Sequence, residues 1–123
     1  MDYEARLLEI KENYPFIRWQ TYKDNGLEQY TKENCEAAKH ILDTLLSNLV
    51  ALGEDARERD KIQKFQVAVE FLNSLNDETD GSLIETDERE ELCELLNMIA
   101  AKAGIDPNKY GDGEGPASEW RDW

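Results

Sequence analysis

The chain of 123 residues has one histidine, two cysteines and no long apolar run, and each scarcity closes off a class of protein. His40 follows Lys39 and has no serine, cysteine or carboxylate at catalytic spacing. A histidine triad or a histidine-rich metal site therefore has no basis. Cys35 and Cys93 stand alone, without C-x-x-C spacing, and read as buried reduced thiols; a disulfide between them is the lesser alternative. Apolar runs of only a few residues are far too short to span a membrane. The segment MDYEARLLEI lacks the basic and apolar regions of a secretory signal, so the expected location is the cytoplasm. Gly111, Gly113 and Gly115 alternate with acids and follow no strand, so they form no phosphate-binding loop. With no catalytic set, no metal ligands and no cofactor motif, the expectation is a protein that is not an enzyme.

Basic residues are scarce as well: 14 Lys and Arg against 28 Asp and Glu, a net charge of −14. The imbalance is local. Residues 1–73 carry 14 acids and 10 bases, whereas residues 74–123 carry 14 acids and only 4 bases. Such a field opposes direct contact with nucleic acid or anionic lipid and favours a basic protein partner, a cation or simple solubility.

What the chain does have is helical periodicity, enough for one domain over residues 1–123. Asp2 can cap a first helix whose face is Tyr3, Leu7, Ile10 and Tyr14, stopped or kinked by Pro15. Phe16, Ile17, Trp19 and Tyr22 form an aromatic-rich patch, read as a lid over one end of the core or, alternatively, as an exposed binding patch. A turn at Lys23–Gly26 precedes a helix that begins near Asn25 or Thr31 and ends at Leu52, with Gly53 closing it. Its stripe of Ala38, Ile41, Leu42, Leu45, Leu46, Leu49, Val50 and Leu52 is wider than a surface helix needs, which predicts a central helix. Asp55 and Glu58 suggest a capping box for a third helix to about Leu75. Its core row is Ile62, Phe65, Val69 and Leu72, widened by Ala68, Phe71 and Leu75. The fourth helix lies within Ser82–Ile105: Thr86 as N-cap, Leu92, Leu95, Leu96, Ile99 and Ala103 as stripe, Gly104 as the left-handed stop. The tail from Asp106 has five Gly or Pro residues, so no regular structure is expected before Ala117. The fold class is all-α, a bundle of four main helices with short extra pieces and an irregular Gly-rich C-terminal tail.

Three patterns bear on function. Asn76 to Asp87 has part of a calcium-loop pattern, with Asn76, Glu78 and Asp80 at positions one, three and five. Glu78 is long for its place and Asp87 short for the last, so an acidic inter-helix loop is the preferred reading. Glu33/Glu36 and Glu88/Glu91 have the Glu-x-x-Glu spacing by which all-α nucleotide pyrophosphohydrolases hold magnesium. The pairs here are too far apart in the chain, and the phosphate-binding bases are missing. The strongest pattern is the block Asp77–Glu94, nine acids against the single Arg89, which suits the steering of a basic partner. Trp120 and Trp123, beside Arg121, are either its aromatic anchors or a cover for the open end of the fourth helix.

About 40 residues of the C-terminal third resemble a bacterial family of small, acidic, all-helical proteins of unknown function, through Asp87, Glu88, Arg89, Glu90, Cys93, Gly104, Ile105, Gly113 and Trp120. Proteins of this build are similar in size, charge and setting to the immunity proteins of bacterial toxin systems. The resemblance implies a cytoplasmic, non-enzymatic inhibitor of a cognate toxin, most readily a basic nuclease. The expected partner-binding residues are Asp77, Glu78, Asp80, Glu85, Glu88, Glu91, Glu94, Trp120 and Trp123. A nucleic-acid mimic acting on a DNA-binding protein is the alternative, with a metal-dependent nucleotide hydrolase third.

Overall fold

The structure, a computed structural model, describes residues 2–24 and 30–123, with only the backbone at 22–24. The described residues form helices and turns, without strands. In order they are α1 (Tyr3–Leu8), continued as a 3₁₀ segment over Glu9–Asn13, then α2 (Phe16–Asp24), α3 (Lys32–Leu52), α4 (Glu58–Glu78) and α5 (Thr86–Lys102). Two 3₁₀ turns, Pro107–Lys109 and Gly111–Gly113, and the short α6 (Ala117–Trp120) complete the chain. One hydrophobic cluster draws on all six helices.

The first helix starts as its capping residue dictates, with Asp2 accepting the N–H of Ala5 at 2.8 Å. Tyr3, Leu7 and Ile10 are buried. The aromatic patch after Pro15 is itself helical, and it splits by face. Phe16 and Trp19 are buried in the core, while Ile17 is 81% exposed. Tyr14, Phe16, Trp19 and Tyr30 form a chain of edge-on and tilted ring contacts, with centroids 5.1, 5.1 and 6.0 Å apart. The turn expected at Lys23–Gly26 meets α2 still running at Asp24, and Asn25–Gly26 lie outside the described residues.

Helix α3 starts after Thr31, whose hydroxyl accepts the Asn34 N–H at 3.0 Å, and ends at Gly53 with φ +88°. Only part of its wide stripe reaches the core; Ile41 and Val50 are half-buried at its margins. Helix α4 begins later than the Asp55 capping box predicts. Gly53 opens a turn closed by the Ala56 N–H on the Gly53 carbonyl, which keeps Asp55 outside the helix and makes Arg57 the N-cap. Phe71 also departs from expectation. It lies 59% exposed on the outer side of α4, and Phe65, Val69 and Leu72 fill the core.

Lys61 is the residue that periodicity does not announce. It is buried, and its ammonium donates to the carbonyls of Glu54 at 2.7 Å and Ala103 at 2.8 Å. It also lies 5.2 Å from the centre of the Tyr3 ring, whose other neighbour is the Arg6 guanidinium at 5.5 Å. Arg6 in turn pairs with Glu54 at 2.8 Å. Arg6 also donates to the Lys102 carbonyl at 3.5 Å, so two cations converge on carbonyls at the C-terminal end of α5, the negative pole of its dipole. A second tie joins the first segment to α3: Tyr14 donates to Asp43 at 2.9 Å, as does Lys39. Burial alone would push the Asp43 carboxyl up. The hydrogen bonds from Lys39 and Tyr14 outweigh it, the charges of Lys11 and Lys39 add to them, and the group is held below the ordinary carboxylate range.

Replacing Lys61 with Ala takes the donor from one buried and one part-buried carbonyl, and it is expected to lower stability by about 2 kcal/mol. The urea midpoint checks this, with the well-exposed Lys32→Ala as a control expected to stay within about 0.5 kcal/mol. Because Asp43 has its pKa depressed in the folded state, its contribution is full above the unfolded value of about 3.9 and is lost as pH falls through the lower folded value. Stability measured from pH 6 downward should fall less steeply in Asp43→Asn than in the parent over this acidic range.

Candidate functional site: the acidic corner between α4 and α5

The corner is built by the way α4 stops. Asp80 adopts φ +56°, which an aspartate tolerates better than most side chains, and the Gly81 N–H reaches back to the Asn76 carbonyl at 2.8 Å. Asn76 is buried, and its side-chain oxygen accepts the Ile84 N–H at 2.9 Å. Thr79 accepts the Leu83 N–H, and Leu83 and Ile84 then plunge into the core. The loop's inner polar groups are thereby occupied, and Asp77, Glu78, Asp80 and Glu85 are left on the outside. This geometry also decides the calcium-loop pattern. Its first position, Asn76, is an interior strut whose oxygen is engaged with backbone, and no three His, Cys, Asp or Glu side chains gather as a metal-holding group among the described residues.

Helix α5 is entered through Glu85 rather than Thr86. Glu85 and Glu88 form a reciprocal capping box, with the Glu88 carboxylate accepting the Glu85 N–H at 3.3 Å. Glu88 is consequently only 5% exposed, which removes it from the surface on which the sequence placed it. Glu91 is engaged too. One of its oxygens accepts the Trp19 indole N–H at 3.2 Å and the Arg18 guanidinium, which ties α2 to α5. The other predicted acids of the helix, Glu85 and Glu94, are exposed, and so are Asp87 and Glu90. The structure therefore brings Asp77, Glu78, Asp80, Glu85, Asp87, Glu90 and Glu94 onto the outer surface of one helix–loop–helix unit. Among the described residues, Asp77, Glu78, Asp80, Asp87, Glu90 and Glu94 make no ion pair, while Glu36, Asp43, Glu54, Glu58, Asp60, Glu91 and Glu114 do.

Placement relative to the helix dipoles divides the cluster. Asp87 lies in the first turn of α5, where negative charge is favoured. Asp77 and Glu78 close α4, which has no basic residue in its last turn, and Asp80 follows the C-cap Thr79. These three face the negative pole of the α4 dipole and gain nothing locally.

Trp120 and Trp123 lie at some remove from this role, half-buried against the core. The tail that carries them is fastened along α4 and α5. Tyr110 donates to Glu58 at 2.6 Å, and Asn73 of α4 donates to the Trp120 carbonyl and accepts the Asp122 N–H. Gly115, at φ +115°, lies where any Cβ would collide with the Asn97 side chain. Arg121 stacks over the Trp123 ring at 5.8 Å.

Glu33 and Glu36 are exposed on the first turns of α3, and Glu36 pairs with Lys32. Neither joins Glu88 or Glu91 in a metal-holding group among the described residues. His40 is exposed on the same helix. Both cysteines are free thiols; burial pushes Cys35 up to about 11 and Cys93 upward as well. A shallow groove of about 210 Å³ runs between α3 and α4, floored by Ile41, Leu45 and Ala68 and edged by Val67 and Phe71, with His40 and Lys64 at its rim. Sequence reasoning assigned Ile41 and Phe71 to the core, so it missed this groove.

Glu88→Ala should lower stability by about 1 kcal/mol through loss of the cap, whereas Glu94→Ala should stay within about 0.5 kcal/mol. Urea unfolding of the two variants separates a structural acid from a surface one. No helix among the described residues is long and apolar enough to cross a membrane. No protein-family model, curated protein or solved structure matches the chain.

Proposed function

We propose that this chain is a non-enzymatic, immunity-type inhibitor that binds a basic toxin domain in the cytoplasm through the corner between α4 and α5. The observation that carries the reading is the placement of Asp77, Glu78 and Asp80. They are exposed, they make no ion pair among the described residues, and they stand at the pole of α4 that opposes negative charge. Carboxylates that work against their own helix are accounted for by a partner that rewards them. A nuclease domain fits, because a cleft that attracts phosphate attracts carboxylates for the same electrostatic reason. Inhibition then needs no chemistry. The acids raise the rate of encounter and set the register, and the bound protein fills the cleft.

Glu85, Asp87, Glu90 and Glu94 extend the same surface along α5. Glu88 and Glu91 support it from within and make no direct contact with the partner, since one caps the helix and the other is held by Arg18 and Trp19. Trp120 and Trp123 act as packing for the tail.

The reading predicts a trade between stability and binding. The triple variant Asp77→Asn, Glu78→Gln, Asp80→Asn should unfold at a higher urea concentration, by about 0.3–1 kcal/mol for each relieved charge. The same variant should associate with the cognate toxin at least tenfold more slowly at low salt and lose most of the parent's salt dependence. Toxin candidates are the basic products of neighbouring genes, assayed for loss of their own activity in a one-to-one mixture. A variant that gains stability and inhibits as fast as the parent would remove these acids from the interface. Capture of many DNA-binding proteins that added DNA releases would replace the inhibitor with a nucleic-acid mimic.

A further inference from the structure

We infer that the cleft between α5 and the start of α2 seats one lysine or arginine side chain of the protein partner, an anchor that the acidic surface itself lacks. The inference rests on the inhibitor reading above and deepens it. Charge speeds encounter and sets register, but a long-lived complex also needs a side chain buried in a pocket. Between Asp77 and Lys102 no large apolar side chain stands exposed, so the anchor has to come from the partner and enter a concavity. Such a concavity adjoins the acids. It measures about 130 Å³ and is walled by Pro15, Arg18, Glu91, Glu94, Leu95 and Met98. Asp87, Glu94 and Met98 follow one another on α5 at i, i+7 and i+11, so the exposed acidic row runs into it. A small-molecule pocket usually encloses about 300 Å³ or more and a water takes ~30 Å³, which leaves this cleft the size of one side chain.

The walls select the side chain. Pro15 and Leu95 are buried and Met98 is half-buried, an apolar lining for a hydrocarbon stem. Glu91 is already shared between Arg18 and Trp19, and the Arg18 guanidinium cancels its charge. Glu94 is exposed and makes no ion pair among the described residues, so one carboxylate at the cleft is left for a ligand. Lysine and arginine match this plan, because they lay an apolar stem along a wall and keep the charged head at the rim. An acidic side chain would face Glu94 as its like, and a purely apolar one would take water from that carboxylate and return nothing. A bare metal ion finds no set of three ligating side chains among the described residues.

Amide NMR spectra of the full chain, titrated with n-butylguanidinium chloride against sodium chloride of equal ionic strength, test the cleft without any partner. Saturable shifts are expected at Arg18, Glu94, Leu95 and Met98. Glu94→Gln should abolish them, and the triple variant at Asp77, Glu78 and Asp80 should keep them. Met98→Lys should abolish them too, because an i, i+4 pair sets its own ammonium beside Glu94. Against the cognate toxin, Glu94→Gln and Met98→Lys should each dissociate at least tenfold faster than the parent, whereas the triple variant acts on association. Shifts that rise linearly over the whole acidic surface, or that survive Glu94→Gln, would overturn the cleft as a seat for a cation. A toxin complex whose dissociation is unmoved by Met98→Lys would overturn its role as the anchor. Saturable binding in the cleft with no toxin among the neighbouring gene products would support the cation seat and remove the inhibitor reading instead.

Discussion

The buried ammonium of Lys61 is the point on which the assembly turns. Its two acceptors come from the turn after α3 and from the end of α5, and the ring above it comes from α1. Four separate stretches of chain are thus fixed by one charge. An unpaired lysine in an apolar interior would be expelled or neutralised. Here its partners are the Ala103 carbonyl at the negative end of α5, the Glu54 carbonyl and the face of the Tyr3 ring, so the charge is met without a carboxylate. With α5 anchored at its C-terminal end and α2 tied to its middle by Glu91, its N-terminal end is free to present acids to solvent.

Much of this was readable in the sequence, and the reason is that local and tertiary signals agree. Asp2, Thr31 and Gly104 cap where their chemistry says they should, and the stripe Leu92, Leu95, Leu96, Ile99 and Ala103 is buried as its spacing requires. The failures share a cause. Thr86 was outcompeted as a cap by the neighbouring Glu85, because a carboxylate three residues ahead of Glu88 permits a reciprocal box. Glu88 and Glu91 look like their exposed neighbours in any count of charge, yet one reaches back to backbone and the other across to α2. Lys61 and Phe71 invert the rule that charge is outside and aromatics inside, and only packing shows it.

The acidic block is therefore two populations within one run of sequence. Its inward members stabilise the helix start and the join to α2. Apart from Glu85, which caps α5, and Asp87 in its first turn, its outward members contribute nothing comparable to the fold. Separation of these tasks lets the surface vary in charge while the capping box and the indole contact keep α5 in place.

The fastening of the tail has a consequence for biosynthesis. Asn73 takes its hydrogen bonds from the segment around Trp120 and Asp122, and Glu58 takes its own from Tyr110. Helix α4 is at the same time held from the other direction by Tyr3 over Lys61. Contacts of such long sequence separation cannot form on a nascent chain until residues 110–122 have left the ribosome. Until then the side of α4 that meets α6 lacks its cover, so this packing forms only after residues 110–122 are released.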